Sequence, residues 1–390
     1  IFGRLADLRG RRNLYALGIA IFGIGSAFCA LSPSFAVLVV ARIVQGLGGA
    51  LMAANSVAYL IDIYAPSRRG FVVGLWEAGI ATGSGIGPII GGAVIEAAGW
   101  QGSFAMIVPM SIAMLAAVPF AMKDPPRAPG SPKFDLAGAV FFGVGVAAFL
   151  FALTQASVAG WGSPVVLGSL AVAAVCGVLF VRVENRVDSP MIDLRMFRSR
   201  TFTAGNLAKV AGYLPFAAHG FLLPFYLKEV LALPPTGIGS ILVALPAGMF
   251  AASLLSGTLS DRIGTRVLAP AGLALQAVGC VVLAVATADQ GVWAPVVGTL
   301  LGGIGIGAFI APNDSAILAA SPRDRIGVAN GILGVSRTAG MLLGVALGGA
   351  GLSARVAAHG GSFLDGFHDV YLFVSVVAFA GVAVATIRDR

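Results

Sequence analysis

A chain of 390 residues with 58% hydrophobic and only 11% charged side chains, at a mean hydropathy of +0.93, is too apolar to fold as a soluble globule. Its formal charge of +8 falls in short clusters between apolar segments rather than on one face, which argues against a nucleic-acid-binding surface and reads as membrane topology. Cys29, Cys176 and Cys280 sit singly inside apolar runs without metal-ligand or disulfide spacing, and no nucleophile–base constellation is present, so no metal centre, cofactor or enzyme is indicated.

Crossing the ~30 Å hydrocarbon core takes about 20 apolar helical residues, and twelve segments of that kind follow one another. The first six run from Leu14 to Ser32, Phe35 to Leu60, Phe71 to Ala97, Phe104 to Met122, Leu136 to Ala156 and Pro164 to Val183. After the charged stretch Val183 to Arg200 come Phe202 to Leu227, Ile238 to Leu259, Val267 to Ala286, Trp293 to Ala319, Val328 to Leu352 and Tyr371 to Ile387. The pattern predicts an all-α polytopic membrane protein with the remainder of an N-terminal bundle over 1–133, an inserted helix pair and cytoplasmic linker over 134–200, and a C-terminal bundle over 201–390.

With Arg4, Arg9, Arg11 and Arg12 in the cytoplasm, alternation places almost every basic loop residue on the same side, and only Lys228 and Arg355 fall outside. Trp100, Trp161 and Trp293 then mark outer span ends, where an indole prefers the interface. A multi-pass protein of a bacterial inner membrane is expected, acting as a monomer with the lipid bilayer as its surroundings. The chain opens without Met on a charged loop, and we expect it to begin partway through a longer protein with one or two spans upstream.

The sequence repeats internally. Gly3, Asp7, Gly10 and Arg12 recur as Gly257, Asp261, Gly264 and Arg266, at an offset of 254. Gly49, Ala50 and Asn55 match Gly307, Ala308 and Asn313 at 258, and Gly83, Gly87, Gly91 and Gly92 match Gly340, Gly344, Gly348 and Gly349 at 257. Duplicated halves of this kind are common in transporters, whose solute site lies between the repeats.

These residues carry a resemblance. The run from Gly3 through Asp7 and Gly10 to Arg11 and Arg12 resembles the cytoplasmic loop signature of the major facilitator superfamily, between its second and third spans. Arg42-Ile-Val-Gln45-Gly46 resembles the fourth-span motif, and Gly83 through Gly87-Pro88-Ile-Ile-Gly91-Gly92 resembles the fifth-span antiporter motif. The extra pair of spans between the halves is similar to the fourteen-span drug:proton antiporter branch. The resemblance implies two six-helix pseudo-symmetric bundles with an extra central helix pair, the first one to two spans missing, and small-molecule efflux driven by protons through alternating access. It also implies that the loops holding Asp7 and Asp261 latch one face of the cycle, against a plainer reading in which their arginines only set topology.

Charges inside spans are costly and point to function, which singles out Arg42, Glu77, Lys209, Asp314 and Arg337. Arg42, about seven residues into its span, matches the family motif and is a proton-coupling candidate or a structural anchor. Glu77 shares a helical face with Ser84 and Pro88, which suits a polar lining, or it forms an ion pair near the cytoplasmic end. Asp314 and Arg337 are expected to pair, for transport or for structure alone. Lys209 is read as snorkelling to the inner surface or making contact with substrate or proton. His219 is read as a satisfied packing residue ahead of a titrating one. Gly79, Gly83, Gly87 and Gly91, four residues apart, form a ridge that invites a neighbouring backbone, and Pro88 adds a bend. Phe216, Phe221, Phe225 and Tyr226 offer an aromatic wall for an apolar ligand, or core or lipid-facing packing. A metabolite facilitator or symporter of the same fold, and a membrane sensor or scaffold that moves nothing, remain the alternatives to an exporter.

Overall fold

The computed structural model describes residues 11–63, 69–122, 136–187, 194–322 and 326–387. These residues are helical almost throughout. In chain order the helices are α1 (Arg11–Ala30), α2 (Phe35–Ile63), α3 (Arg69–Ala105), α4 (Ile107–Ala121), α5 (Leu136–Ala159), α6 (Pro164–Glu184), α7 (Arg200–Glu229), α8 (Pro235–Leu242), α9 (Ala244–Ile263), α10 (Thr265–Ala284), α11 (Trp293–Ala319), α12 (Ile326–Ala358) and α13 (Phe363–Ala385). In lipid a helix satisfies every backbone polar group within its own segment, which is why apolar runs of this length take that form.

Among the described residues eleven segments are long and apolar enough to cross a membrane, one fewer than expected. The difference lies in Gly85–Ala121, a single apolar stretch of 37 residues. At 1.5 Å per residue it would measure about 55 Å as one helix, far beyond one hydrocarbon core. Gly99, with φ 69° and ψ −178°, interrupts the helix there. The limbs on either side both pack on α1, so the stretch holds the two spans that the sequence predicts.

The chain divides into two compact units, 1–134 and 135–390. In the first, Gly18 and Gly25 of α1 press against α2, where a Cβ would stand 3.1 Å from the Gly48 carbonyl oxygen and 2.6 Å from the Gln45 nitrogen. In the second, Gly272 and Gly279 of α10 press against α11, with 2.7 Å to the Gly305 carbonyl oxygen and 2.5 Å to that of Gly298. Each pair of positions is separated by the repeat offset of 254, so the sequence duplication is also a duplication of helix packing. Without a hydrophobic drive between helices in lipid, such backbone contact is what brings spans together.

In the second unit α11 is the hub. Its Gly303 and Gly307 lie beneath the Leu245 and Met249 carbonyls of α9, while Gly298, Gly302 and Gly305 face α10 and α7. Tyr226, Leu222, Leu223 and Leu227 of α7 join Cys280, Leu283, Phe367 and Tyr371 in one core cluster. A second cluster, Phe180, Met196, Phe202, Ile317 and Ile332 with Phe141 and Phe142, ties α5 and α6 to α7, α11 and α12. The helix pair therefore packs as part of the second unit.

Candidate functional site

Ser199 caps α7 by accepting a hydrogen bond from the Phe202 amide at 3.2 Å. Three turns into the helix, the Lys209 ammonium lies 2.8 and 2.7 Å from the two carboxylate oxygens of Asp314 on α11. The lysine side chain is 5% exposed and the aspartate 27%. Lys209 therefore does not snorkel: a carboxylate on the next helix gives its charge a nearer partner than the membrane surface. The Tyr213 ring, 6.0 Å from the ammonium, adds a cation–π contact.

The expected pairing of Asp314 with Arg337 is not formed. Asp314 lies on the side of α11 that meets α7, whereas α11 barely touches α12. Arg337 stands exposed on α12.

Neutral hydrogen bonds frame the ion pair. Asn313 donates to the Gly205 carbonyl oxygen at 3.1 Å, and Gln276 of α10 donates to that of Gly212 at 2.9 Å. Ser336 of α12 donates to the Asn206 side-chain oxygen at 2.8 Å, and the Asn206 amide donates to Phe202 at 2.9 Å. Three helices are thus tied to α7 within three turns of Lys209. Gly340 and Gly344 of α12 complete this contact: a Cβ at Gly340 would stand 2.6 Å from the Val210 carbonyl oxygen, and Gly344 lies closer still to that of Leu214. Asn206, Gln276 and Ser336 were missed in the sequence because neutral amides and hydroxyls scarcely lower the hydropathy of a span. Their only signal is a small polar residue among apolar neighbours.

In the first unit Arg42 donates to the Gln45 side-chain oxygen at 2.6 Å, and Gln45 donates to the Ser26 hydroxyl at 2.7 Å. Ser26 in turn donates to the Phe22 carbonyl oxygen at 2.7 Å, so the chain from α2 ends on the backbone of α1. Gln45 and Ser26 are buried, and the guanidinium lies 5.5 Å from the Phe104 ring. Arg42 is exposed within its unit, and its guanidinium is held by the hydrogen bond to Gln45.

The glycine ridge of α3 differs from its second-half counterpart. Among the described residues, a Cβ at Gly79, Gly83, Gly87 or Gly91 would meet no atom within 4 Å, whereas Gly340 and Gly344 are in backbone contact. Gly92 is buried, and Pro88 lies inside the helix. Among the described residues, the close approach is seen at the second-half glycines Gly340 and Gly344.

The side chain of Glu77 lies outside the described residues, as do Gly3, Asp7, Gly10, the surroundings of Gly257 and the side chains of Arg11 and Asp261. Of the two loop signatures, Gly264 is described: with φ 85° and ψ 150° it turns the chain between α9 and α10, a conformation that needs glycine. Arg12 is half-buried and Arg266 exposed. The aromatic side chains of α7 do not line one wall. Tyr226 is in the core 4.7 Å from Phe367, Phe221 and Phe225 pair at 5.4 Å, and Phe216 packs on Tyr213 at 5.9 Å. His219 is buried, with Nδ1 2.6 Å from the Pro215 carbonyl oxygen.

Comparison with known proteins agrees with this architecture. The chain is 31% identical over 346 residues to the riboflavin transporter RibZ of Clostridioides difficile, covering 88% of the chain and 74% of that protein. It is 32% identical over 357 residues to the multidrug resistance protein Stp of Mycobacterium tuberculosis, covering 91% of the chain and 66% of Stp, so it spans about two thirds of that relative's length. The crystal structure of a POT family transporter in complex with 5-aminolevulinic acid superposes with a TM-score of 0.71 at 14% identity, over 98% of this chain and 82% of that one, a likeness of fold. The family model described as Major Facilitator Superfamily matches residues 1–186 and 206–390. The chain belongs to the major facilitator superfamily and is a multi-pass transporter of the cell membrane, not an enzyme.

Proposed function

We propose that the protein is a proton-coupled exporter of hydrophobic or cationic small molecules, working by alternating access, in the fourteen-span drug:proton antiporter branch. The observation that carries this reading is the Lys209–Asp314 pair. A carboxylate within a span, touching an ammonium and partly open, can exchange its proton and so make or break an ion pair between α7 and α11. Protonation removes the carboxylate charge and weakens the tie to Lys209. Deprotonation restores it. An ion pair in low dielectric is strong enough for that change to alter how two helices sit. Arg42, held by Gln45 but exposed, and Glu77 are the first-half coupling candidates. The helix pair α5–α6 and the likeness to a multidrug resistance protein support the branch and the substrate class. The loops around Asp7 and Asp261 are proposed as latches of the cycle.

The likeness to a riboflavin transporter favours a second reading, a metabolite carrier of the same fold. The deciding experiment follows substrate-induced proton movement in sealed vesicles for wild type, Asp314→Asn and Glu77→Gln, against lipophilic cations and riboflavin. Proton release on adding a lipophilic cation, lost in either variant, supports the exporter. Solute flux without proton movement moves the assignment to a facilitator.

A further inference from the structure

The interior of the second unit holds a set of polar atoms that the protein itself leaves unsatisfied, away from the Lys209–Asp314 pair. His219 of α7 is 1% exposed, and its Nδ1 lies 2.6 Å from the Pro215 carbonyl oxygen one turn earlier. A carbonyl only accepts, so Nδ1 carries the hydrogen and Nε2 of the neutral ring is a bare acceptor. Nε2 is buried without a hydrogen-bond partner and faces the backbone of Gly302 on α11, where a Cβ would stand 3.0 Å away.

Three further helices bring polar atoms in the same condition. Thr299 lies one turn before Gly302 on α11, and its hydroxyl is buried and unpartnered. The Tyr371 ring of α13 is 5.5 Å from the His219 ring, edge to face, and its hydroxyl is also unpartnered. Gln276 of α10 spends its amide on Gly212, leaving its side-chain oxygen bare. Tyr226, two turns further along α7, adds another unpartnered hydroxyl. Buried donors and acceptors in native proteins are almost always matched, and where protein groups do not match them an ordered water does. Each of these atoms alone would be costly to bury in hydrocarbon surroundings.

We propose that His219, Thr299 and Tyr371 form an internal water site in the second unit, at which the imidazole takes up and releases a proton. This use of the site rests on the proton-coupled reading above. The ligand is water and its hydrated proton. A hydronium ion gives its proton to Nε2 and becomes water, keeping the electron pair of the broken O–H bond. The imidazolium then donates from Nε2 to that water, while Nδ1–H stays on Pro215. The groups shown facing the ring are the Tyr371 ring of α13 and the Gly302 backbone of α11, neither of them charged, with Thr299 one turn from Gly302 on the same helix. The charged pair Lys209–Asp314 lies ten residues earlier along α7. The arrangement places a proton-accepting ring beyond the ion pair in the same bundle, and Gln276, bonded to Gly212, lies between the two levels.

The test is nitrogen-15 NMR of histidine-labelled protein in lipid nanodiscs. The chain has three histidines, so the difference from His219→Asn assigns the buried ring. The expected result is an Nε2 signal typical of a hydrogen-bonded acceptor at neutral pH, converting to the imidazolium signal on acidification. Thr299→Val, which keeps shape and removes the hydroxyl, shifts that signal without unfolding the protein. In vesicles, His219→Gln and Thr299→Val are expected to lose substrate-induced proton movement. An Nε2 signal of a dry, unbonded ring at every pH overturns the water site. A hydrogen-bonded ring that never converts, or full proton movement in both variants, overturns the proton exchange. Absence of proton movement in wild type sinks the exporter reading instead and leaves the nitrogen spectrum to decide the water site.

Discussion

Lys209 and Asp314 are 105 residues apart in the chain, yet the ammonium lies 2.7 Å from the carboxylate across the α7–α11 contact. Neutralising one partner leaves the other charge poorly compensated within a span, at a cost of about 3 kcal/mol or more for a buried pair. Asp314→Asn is expected to lower the thermal transition of the detergent-solubilised protein more than Lys209→Met, since it leaves the more deeply buried charge, that of the lysine, without its partner. Lys209→Met combined with Asp314→Leu restores much of that stability and still fails to transport. Thermal unfolding and vesicle flux, measured on the same four proteins, check both halves. Restored flux in the double variant would remove the pair from the coupling machinery.

The two glycine ridges call for opposite outcomes. At Gly344 any side chain collides with the Leu214 carbonyl of α7, and at Gly340 with that of Val210, so Gly344→Val and Gly340→Val are expected to give aggregated or poorly expressed protein. Gly83→Ala and Gly87→Ala place a methyl where no described atom lies within 4 Å, and they should fold as wild type. Fluorescence-detected size exclusion separates the cases, and normal elution of Gly344→Val would show the α7–α12 contact to be looser than described.

Gln45 is the buried link between Arg42 and Ser26. Gln45→Leu keeps the volume and deletes both hydrogen bonds, each worth about 1 kcal/mol, and more where a charge is involved. A modest fall in thermal stability is expected, together with a larger fall in flux than Ser26→Ala produces, because only the glutamine substitution frees the guanidinium. Equal effects of the two variants would reduce this network to a structural brace.

Gly264 turns the chain between α9 and α10 at φ 85°. A Cβ there meets no crowding, so Gly264→Ala isolates backbone strain, and a loss of about 1–3 kcal/mol is expected. Gly46→Ala, in an ordinary helix and also uncrowded, should be neutral or slightly stabilising. Chemical denaturation in mixed micelles reads both.

Much of the architecture was legible before any coordinates, because lipid imposes a simple rule: a run of about 20 apolar residues becomes a helix. The span ends Phe35, Pro164 and Trp293 coincide with helix starts. The break at Gly99 hides the twelfth span from a length-based count, and the glycine there, before Trp100, is its signal. The repeat offset of 254 returned as equivalent packing of Gly18 and Gly25 with Gly272 and Gly279. The site was less legible. The spans of Lys209, Asp314 and Arg337 were identified from charge alone, but charge does not say which pair meets, and Asp314 turned to α7 rather than α12.

By itself, then, the sequence determined a polytopic helical protein of duplicated halves, the family it resembles, and the short roster of membrane-embedded charges. These follow from one-dimensional quantities: hydropathy, spacing and the cost of burying charge. Only the tertiary structure decided that Lys209 is buried on Asp314, that Gln276, Asn313 and Ser336 bind α7, and that His219 leaves an unsatisfied nitrogen in the bundle interior. Those outcomes depend on which helix faces meet. In lipid, where the hydrophobic drive is spent on insertion, that choice is made by close glycine contacts and a few polar bonds between residues far apart in the chain.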